Sequence, residues 1–296
     1  MKRKRILIGL GVIAALLIFF FAVLFFIGRH SGGKTGRFAF GDKIAVVEVK
    51  GVITQSSGVI EEIEQYTADE GVKAIILRVD SPGGGVGPSQ EIYREIMRIK
   101  SNSKKKVVTS MGSVAASGGY YIAAASDLIV ANPGTITGSI GVIMQFSNLE
   151  ELLRKIGVKG VVIKSGEHKD IGSPFREMTP EEKRLMQDVL DNVHEQFIQA
   201  VAEGRRMDRA KVAQIADGRI LTGEQAKNLG LVDELGNLQD TIDITAKLAG
   251  IVGKPNVLYP KKRLSIWELL MRDMASAVVD ILNERGYEIN FPLQMR

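Results

Sequence analysis

The chain has 296 residues and no cysteine, which excludes disulfides, thiolate nucleophiles and cysteine-ligated metals. Histidine is scarce, with three residues, so candidates for a histidine base are few. Nucleic-acid motifs are also missing. The net charge is +5, but the short basic clusters at 104–106 and 261–263 lack interleaved aromatics, which favours solvated flanks. With 45% hydrophobic residues, the chain can bury one substantial core.

Polar residues of every kind are missing from one long run near the N-terminus: residues 6–27, directly after the basic cluster 2–5, are all apolar residues or glycine. A helix of this length spans about 33 Å, enough to cross a bilayer, whereas the apolar part of a cleaved signal peptide has roughly 7–15 residues. We therefore expect a cytoplasmic tail at 1–5, an uncleaved transmembrane anchor at 6–27 and a linker at 28–42. The basic cluster predicts a cytoplasmic N-terminus and an extracytoplasmic body.

From residue 43 to about 250, β-branched runs alternate with amphipathic helical patterns, which predicts an α/β fold with a mainly parallel sheet and helical cover. The predicted strands are 44–49, 72–79, 106–110, 127–131, 140–144 and 158–164. Helices are predicted around Ile63 and Ile96 and at 120–125, 148–156, 180–204, 208–216, 222–229 and 237–249. Thr179, Pro180 and Glu182 form a helix-start signature before the longest of these.

Residues 251–296 have a different composition and are predicted as a C-terminal tail. Within it, residues 265–285 carry apolar side chains at near-helical spacing, which indicates an amphipathic helix. Its apolar face fits domain packing or an oligomer contact better than a membrane surface.

Ser117 lies between a predicted strand and a predicted helix, flanked by small residues and followed by two glycines. Such a stretch can expose a nucleophilic hydroxyl beside the free N–H groups of a helix start. Small residues more often serve close packing of a helix on a sheet, and Ser113 is a competing hydroxyl. These residues alone leave the choice open.

The glycines at 83–85 directly follow a buried strand, where α/β proteins usually bind ligands. Taken alone, a tight turn is the more common use of such a run. Together with the helix start after Ser117, the loop could supply the second amide of an oxyanion hole.

A serine nucleophile needs a base, and the candidates are His30, His168, His194 and Lys169. His30 is close to the predicted anchor, and His194 is expected on a solvated helix face. A lysine acts as a base only when neutral, and the adjacent Asp170 would oppose this unless its side chain points away. Chemistry alone leaves His168 and Lys169 even, and a solvated loop with no catalytic role is the more common explanation of such residues.

Four segments together resemble the SppA family of membrane-anchored signal peptide peptidases, which have a ClpP/crotonase-like fold. They are DSPGGG at 80–85, AASGGYY at 115–121, TGSIGV at 137–142 and GEHKDI at 166–171. The resemblance covers roughly residues 43–250 together with the anchor, and fits the short single-domain form. It implies hydrolysis of signal-peptide remnants and other apolar peptides through an acyl-enzyme.

The resemblance implies a Ser/Lys dyad, with Ser117 as nucleophile and Lys169 as general base. It further implies an oxyanion hole of Gly84 and Gly118, and a lysine-orienting role for Ser139. No metal or cofactor is implied. The partners would be peptides and further copies of the chain, in an octameric ring that can combine Ser and Lys from neighbouring protomers. A crotonase-like acyl-CoA hydratase or isomerase and a non-catalytic membrane-tethered scaffold are the alternatives.

Overall fold

The computed structural model describes residues 42–260. The predicted anchor at 6–27, its basic tail and all but the last residue of the linker lie outside this range, as does the amphipathic helix predicted at 265–285. Within residues 42–260, no helix is both long and apolar enough to cross a bilayer.

The described part contains eight strands and eight helices. The strands are β1 (Lys43–Lys50), β2 (Val72–Ser81), β3 (Lys106–Ala116), β4 (Leu128–Ala131), β5 (Ile136–Gly138), β6 (Ile220–Thr222), β7 (Glu234–Leu235) and β8 (Asn256–Leu258). The helices are α1 (Ser57–Ala68), α2 (Val86–Asn102), α3 (Gly118–Ala124), α4 (Glu150–Lys155), α5 (Pro180–Arg205), α6 (Arg209–Ile215), α7 (Gly223–Asn228) and α8 (Leu238–Leu248).

All eight strands belong to one sheet, with the order β6-β5-β3-β2-β1-β8. The long β3 pairs with β4 through its first half and with β5 through its second half, and β4 in turn pairs with β7. Every pairing is parallel except that of β5 with β6. The prediction of an α/β fold with a mainly parallel sheet is confirmed. Because β8 pairs with β1, the sheet includes residues beyond 250.

Residues of β1 alternate between the two faces of the sheet, and each face is covered. Ala45 and Val47 belong to the larger core, which also contains residues of α1, α2, α3 and α5. Ile44 and Val46 face a smaller core formed with Ile242 and Ala246 of α8. Burial on both faces explains why the central strands are nearly continuous apolar runs.

The start of α5 forms as the sequence predicts. Thr179 accepts a hydrogen bond from the N–H of Glu182, and the Glu182 carboxylate accepts one from the N–H of Thr179. Pro180 comes directly after the cap residue Thr179 and opens the helix. The helices predicted at 148–156, 208–216, 222–229 and 237–249 are confirmed with ends shifted by one or two residues.

Three strand predictions need correction. β3 continues from the predicted end at residue 110 to Ala116, because its second half pairs with both β2 and β5. The strands predicted at 140–144 and 158–164 are wrong, since neither range is a strand in the structure. Their β-branched residues suit a strand, but in the described part of the chain they have no neighbouring strand to pair with.

Residues 141–175, which we call the arm, expose many apolar side chains. The exposed large residues are Ile143, Met144, Phe146, Leu149, Leu152, Ile156, Val158, Val161, Val162, Ile163 and Phe175. Val161 and Ile163 are 85% and 96% exposed. So many exposed apolar side chains in one segment are typical of an interaction surface.

Candidate active site

Ser117 lies at the turn from the end of β3 into α3. Its backbone angles, φ 52° and ψ −121°, are uncommon for a residue with a side chain. The turn is held by the Ser117 N–H, which donates to the carbonyl of Gly138 in β5 at 2.9 Å. A strained strand-to-helix turn is one way in which a fold exposes a nucleophilic hydroxyl, and strain of this kind concentrates at functional sites.

Helix α3, which begins directly after Ser117, is held in place by the contacts of two tyrosines. Tyr120 is fully buried and donates its hydroxyl to the carbonyl of Leu231 at 2.9 Å. Tyr121 packs its ring against those of Tyr93 and Phe197, with centroid distances of 5.2 and 4.8 Å. The turn at Ser117 is therefore built on a packed helix and not on a free loop.

Two backbone amides lie beside Ser117. A Cβ placed on Gly118 would lie 3.3 Å from the nitrogen of Gly84, so the glycine loop closely approaches the helix start. Of the loop amides, Gly83 donates to Ser81 Oγ at 3.1 Å and Gly85 donates to the Ile53 carbonyl at 2.8 Å. Among the described residues, the N–H groups of Gly84 and Gly118 have no acceptor. Two adjacent free amides next to a serine hydroxyl are the chemical requirement of an oxyanion hole.

Ser117 opens into a cleft of about 600 Å³. Gly84, Gly118 and Ser139 also line it, so the structure brings four of the five sequence-predicted site residues together. Much of the remaining wall is apolar. These apolar residues are Val86, Tyr121, Val142, Ile143, Leu190, Val193, Phe197 and Ala216.

Ser139 shares the backbone strain of Ser117. Its φ is 51°, and it is one of three residues other than glycine with a positive φ within residues 42–260. Its N–H donates to the carbonyl of Arg219 at 2.8 Å, which fixes the position of the residue directly after β5. Ser139 is half-buried at the cleft wall.

Lys169, the fifth predicted residue, does not line the cleft. It lies in a series of turns over 165–173 and its side chain is exposed. No hydrogen bond or ion pair joins Lys169 Nζ to a described residue. Nor does Ser117 Oγ hydrogen bond to a described residue, so the serine has no base in contact with it in this part of the single chain.

His194 is the cleft residue that sequence reasoning missed. The expectation of a solvated helix face is wrong: His194 is half-buried, lines the cleft from α5, and its buried Nε2 has no partner in residues 42–260. Gln187, Asp191 and His194 recur at spacings of four and three residues, which places them on one helix face. This face also carries the apolar residues Leu190 and Phe197. Their helical spacing from His194 was the sequence signal that could have predicted a partly buried histidine.

The other candidates lie elsewhere. Ser113 is exposed on β3 and does not line the cleft, and His168 is exposed among the turns beside Lys169. The part of the chain that the structure describes contains no cluster of three or more histidine, aspartate or glutamate side chains suited to a metal ion.

Two carboxylates line the cleft, those of Asp191 and Asp217. Asp217 accepts hydrogen bonds from the Arg219 guanidinium at 2.8 and 2.6 Å, and these bonds lower the pKa of Asp217 to about 2. It therefore stays ionised at neutral pH, and Arg219 compensates its charge.

Comparisons with known proteins identify the family to which the chain belongs. Residues 99–252 match the model of peptidase family S49. A provisionally named protease of Synechocystis sp. is 47% identical over 211 residues, which is 71% of this chain and 75% of that protein. The chain belongs to peptidase family S49.

Other S49 relatives extend the comparison. A protein of Enterococcus faecium, provisionally named signal peptide peptidase SppA, is 35% identical over 239 residues, or 77% of this chain and 69% of that protein. The chloroplastic serine protease SPPA of Arabidopsis thaliana is 35% identical over 224 residues, which is 71% of this chain but 33% of the plant protein. The chain is therefore an SppA-family serine peptidase, and the S49 match includes Ser117, Ser139 and Lys169.

Proposed function

We propose that this S49 peptidase cleaves peptides with Ser117 as nucleophile and Lys169 as general base. The observation that carries the proposal is the placement of Ser117 at a strained turn, in a cleft, beside the free amides of Gly84 and Gly118. Ser113 has none of these neighbours and is exposed on β3, which supports Ser117 as the nucleophile.

The reaction is acyl transfer to serine. Ser117 Oγ attacks the peptide carbonyl while Lys169 Nζ takes its proton, and the resulting oxyanion accepts hydrogen bonds from Gly84 and Gly118. Lys169 then gives the proton to the departing amine, leaving an acyl-enzyme. Water, deprotonated by the same lysine, hydrolyses the ester and releases Ser117. Ser139, on the cleft wall, is the proposed orienting partner for the lysine amine.

We propose further that Lys169 enters the cleft of a neighbouring copy. Lys169 is exposed and outside the cleft of its own chain, and it lies on the arm, whose apolar residues are exposed. Ile143 is an exposed apolar residue of the arm that also lines the cleft, so the arm begins at the site. Burial of the arm between copies would cover its apolar residues and desolvate the lysine, which favours its neutral form. A closed ring of copies, an octamer by resemblance, fits such a head-to-tail contact.

The proposed substrates are apolar peptides, including signal-peptide remnants. The apolar walls of the cleft support this preference, and a relative carries the name signal peptide peptidase. We place the enzyme in the cell membrane, anchored through residues 6–27 with the peptidase body outside the cytoplasm, on the sequence pattern given above. A ClpP/crotonase-like arrangement of the sheet is part of the same proposal.

The test of shared sites is a mixing experiment with two inactive variants, Ser117→Ala and Lys169→Ala. If each site combines residues of two copies, mixed assemblies contain sites with both residues intact and recover part of the wild-type rate on a quenched fluorescent apolar peptide. Differently tagged subunits, captured through one tag and detected through the other, show that mixed assemblies have formed. No recovery in such assemblies contradicts the proposal.

A fluorophosphonate probe tests the nucleophile separately from the base. Wild type and Ser113→Ala are expected to label equally, and Ser117→Ala not at all. Equal labelling of Ser117→Ala would overturn the assignment. Absence of label from wild type would instead favour a scaffold without catalysis, and binding of an acyl-CoA thioester would favour the hydratase alternative.

A further inference from the structure

A cluster of four charged side chains includes Asp170, the residue directly after Lys169. Asp170 accepts two hydrogen bonds from Arg176, at 2.8 Å from Nε to Oδ2 and 2.8 Å from Nη2 to Oδ1. Lys164 Nζ donates to Asp170 Oδ1 at 2.7 Å. On its other side Arg176 Nη1 donates to Glu182 Oε2 at 2.8 Å, and a second bond joins Nη2 to Glu182. Two cations thus balance two carboxylates.

Arg176 is the centre of this cluster. Its five N–H donors are all used, because Nη1 also donates to the carbonyl of Glu177 at 3.0 Å. Glu182 is buried at the start of α5, where it also completes the helix cap with Thr179. Arg176 therefore ties the turns that carry Lys169 to a fixed point, the first turn of a 26-residue helix.

The cluster keeps the carboxylate of Asp170 away from the adjacent lysine. Both oxygens of Asp170 are held by Arg176 and Lys164, and its side chain is 11% exposed. The Arg176 and Lys164 hydrogen bonds lower the pKa of Asp170, and those from Arg176 and Thr179 lower the pKa of Glu182 to about 2. Arg176 lines a shallow surface pocket. The other charged or titratable side chains that line this pocket are Lys164, Glu167, His168, Glu181, Glu182 and Arg184.

We propose that Arg176 is a positioning residue for the general base: it compensates Asp170 and fixes the turns of 165–173 to α5, so that Lys169 is presented neutral and oriented. The inference rests on the proposed role of Lys169. Without Arg176, the three remaining charges of Lys164, Asp170 and Glu182 sum to −1, and this net negative charge next to Lys169 stabilises its ammonium form. The lysine would then become a base only at higher pH.

The experiment measures kcat/KM against pH for the full-length chain with a quenched fluorescent apolar peptide. In such a profile kcat/KM rises with pH as the general base loses its proton, and this rising part is the acidic limb. We expect Arg176→Gln to move the acidic limb to higher pH by about half a unit or more. Asp170→Asn/Arg176→Gln removes the carboxylate as well and should return the limb to its wild-type position. Arg176→Lys keeps the charge and should move the limb less than Arg176→Gln. Arg209→Gln, which breaks the exposed Arg209–Glu195 pair outside the arm, is the matched control and should leave the profile unchanged.

The outcomes separate this inference from the proposed function. If Lys169→Ala retains the wild-type rate, the role of Lys169 fails, whatever the Arg176 variants do. If Lys169→Ala is inactive but Arg176→Gln lowers kcat/KM equally at every pH, or the double variant keeps the shifted limb, Arg176 is structural and the positioning role is overturned. If Arg176→Gln does not fold, the pH profiles of Arg176→Lys and Asp170→Asn/Arg176→Lys are compared instead to test the positioning role. A limb that differs between those two supports the role, and identical limbs overturn it.

Discussion

Gly83 and Ser117 approach so closely that a Cβ on the glycine would lie 2.8 Å from the Cβ of the serine and 2.8 Å from the nitrogen of Gly118. Gly83 also has φ 104°, a conformation that side chains rarely adopt. The glycine loop after β2 and the serine turn after β3 are therefore in direct contact. Because β2 and β3 are parallel neighbours, their carboxyl ends bring the free amides and the hydroxyl to one edge of the sheet.

This contact predicts the effect of Gly83→Ala. The added methyl group requires both a strained φ and displacement of the Ser117 turn, so we expect kcat/KM to fall by at least about 10²-fold, with weaker fluorophosphonate labelling. Gly87→Ala is the control, because a Cβ there meets nothing within 4 Å. It lies in the first turn of α2 and should leave activity unchanged while altering the free energy of unfolding by less than about 1 kcal/mol. Wild-type activity in Gly83→Ala would contradict the contact.

The second amide gives a prediction at Gly118. A Cβ there would lie 2.5 Å from Ser89 Oγ and 3.3 Å from the Gly84 nitrogen, so Gly118→Ala both crowds a side chain and obstructs the space between the amides. Ser89→Ala/Gly118→Ala removes the crowding alone. We expect the double variant to regain the urea midpoint of Ser89→Ala but to remain at least about 10²-fold slower in kcat. Recovery of activity together with stability would mean that these amides do not hold the oxyanion.

How far the sequence predicts this site differs between its parts. Ser117 and the glycine loop could be located because both follow strongly apolar strands, and the edge of a parallel sheet brings such positions together. The Thr179 cap was predictable because its signal is local. The length of β3 was not, since residues 112–116 are small and become a strand only through pairing with β2 and β5.

The arm shows why other elements could not be predicted. Val158, Val161 and Ile163 have high strand propensity, but a strand also needs a neighbouring strand, and the described chain offers none there. Lys169 and Asp170 are adjacent in sequence, which suggests that the carboxylate keeps the amine charged. The structure pairs Asp170 with Arg176, six residues away. This pairing depends on how the turns between them fold, so the sequence around Lys169 does not predict it.

His194 provides a prediction that distinguishes two bases. Under the proposed function it lines the cleft without taking the proton from Ser117. His194→Gln should therefore lower kcat/KM by less than about tenfold, whereas Lys169→Ala should lower it by roughly 10²–10⁴-fold. Both variants are assayed with the same peptide and checked for unchanged unfolding midpoints. A loss in His194→Gln as large as that in Lys169→Ala would assign the base to the histidine in the same cleft.

The Arg176 cluster predicts a stability difference that depends on pH. The pKa of Glu182 falls from an ordinary 4.5 to about 2 in the folded protein, and that of Asp170 also falls below its ordinary value. Between these values the unfolded chain binds more protons than the folded one, so stability rises with pH. The contribution of Glu182 is therefore complete above about pH 4.5 and is lost as the pH falls toward 2.

We accordingly expect the urea midpoint of Arg176→Gln to lie below that of wild type at pH 6, and the gap between them to narrow steadily from pH 4.5 to pH 2, the range set by the two pKa values of Glu182. Arg154→Gln, which breaks an exposed pair on α4, should follow wild type at every pH because exposed ion pairs contribute little. A gap that stays constant or widens on acidification would show that Arg176 stabilises the fold through packing and not through the two carboxylates it holds.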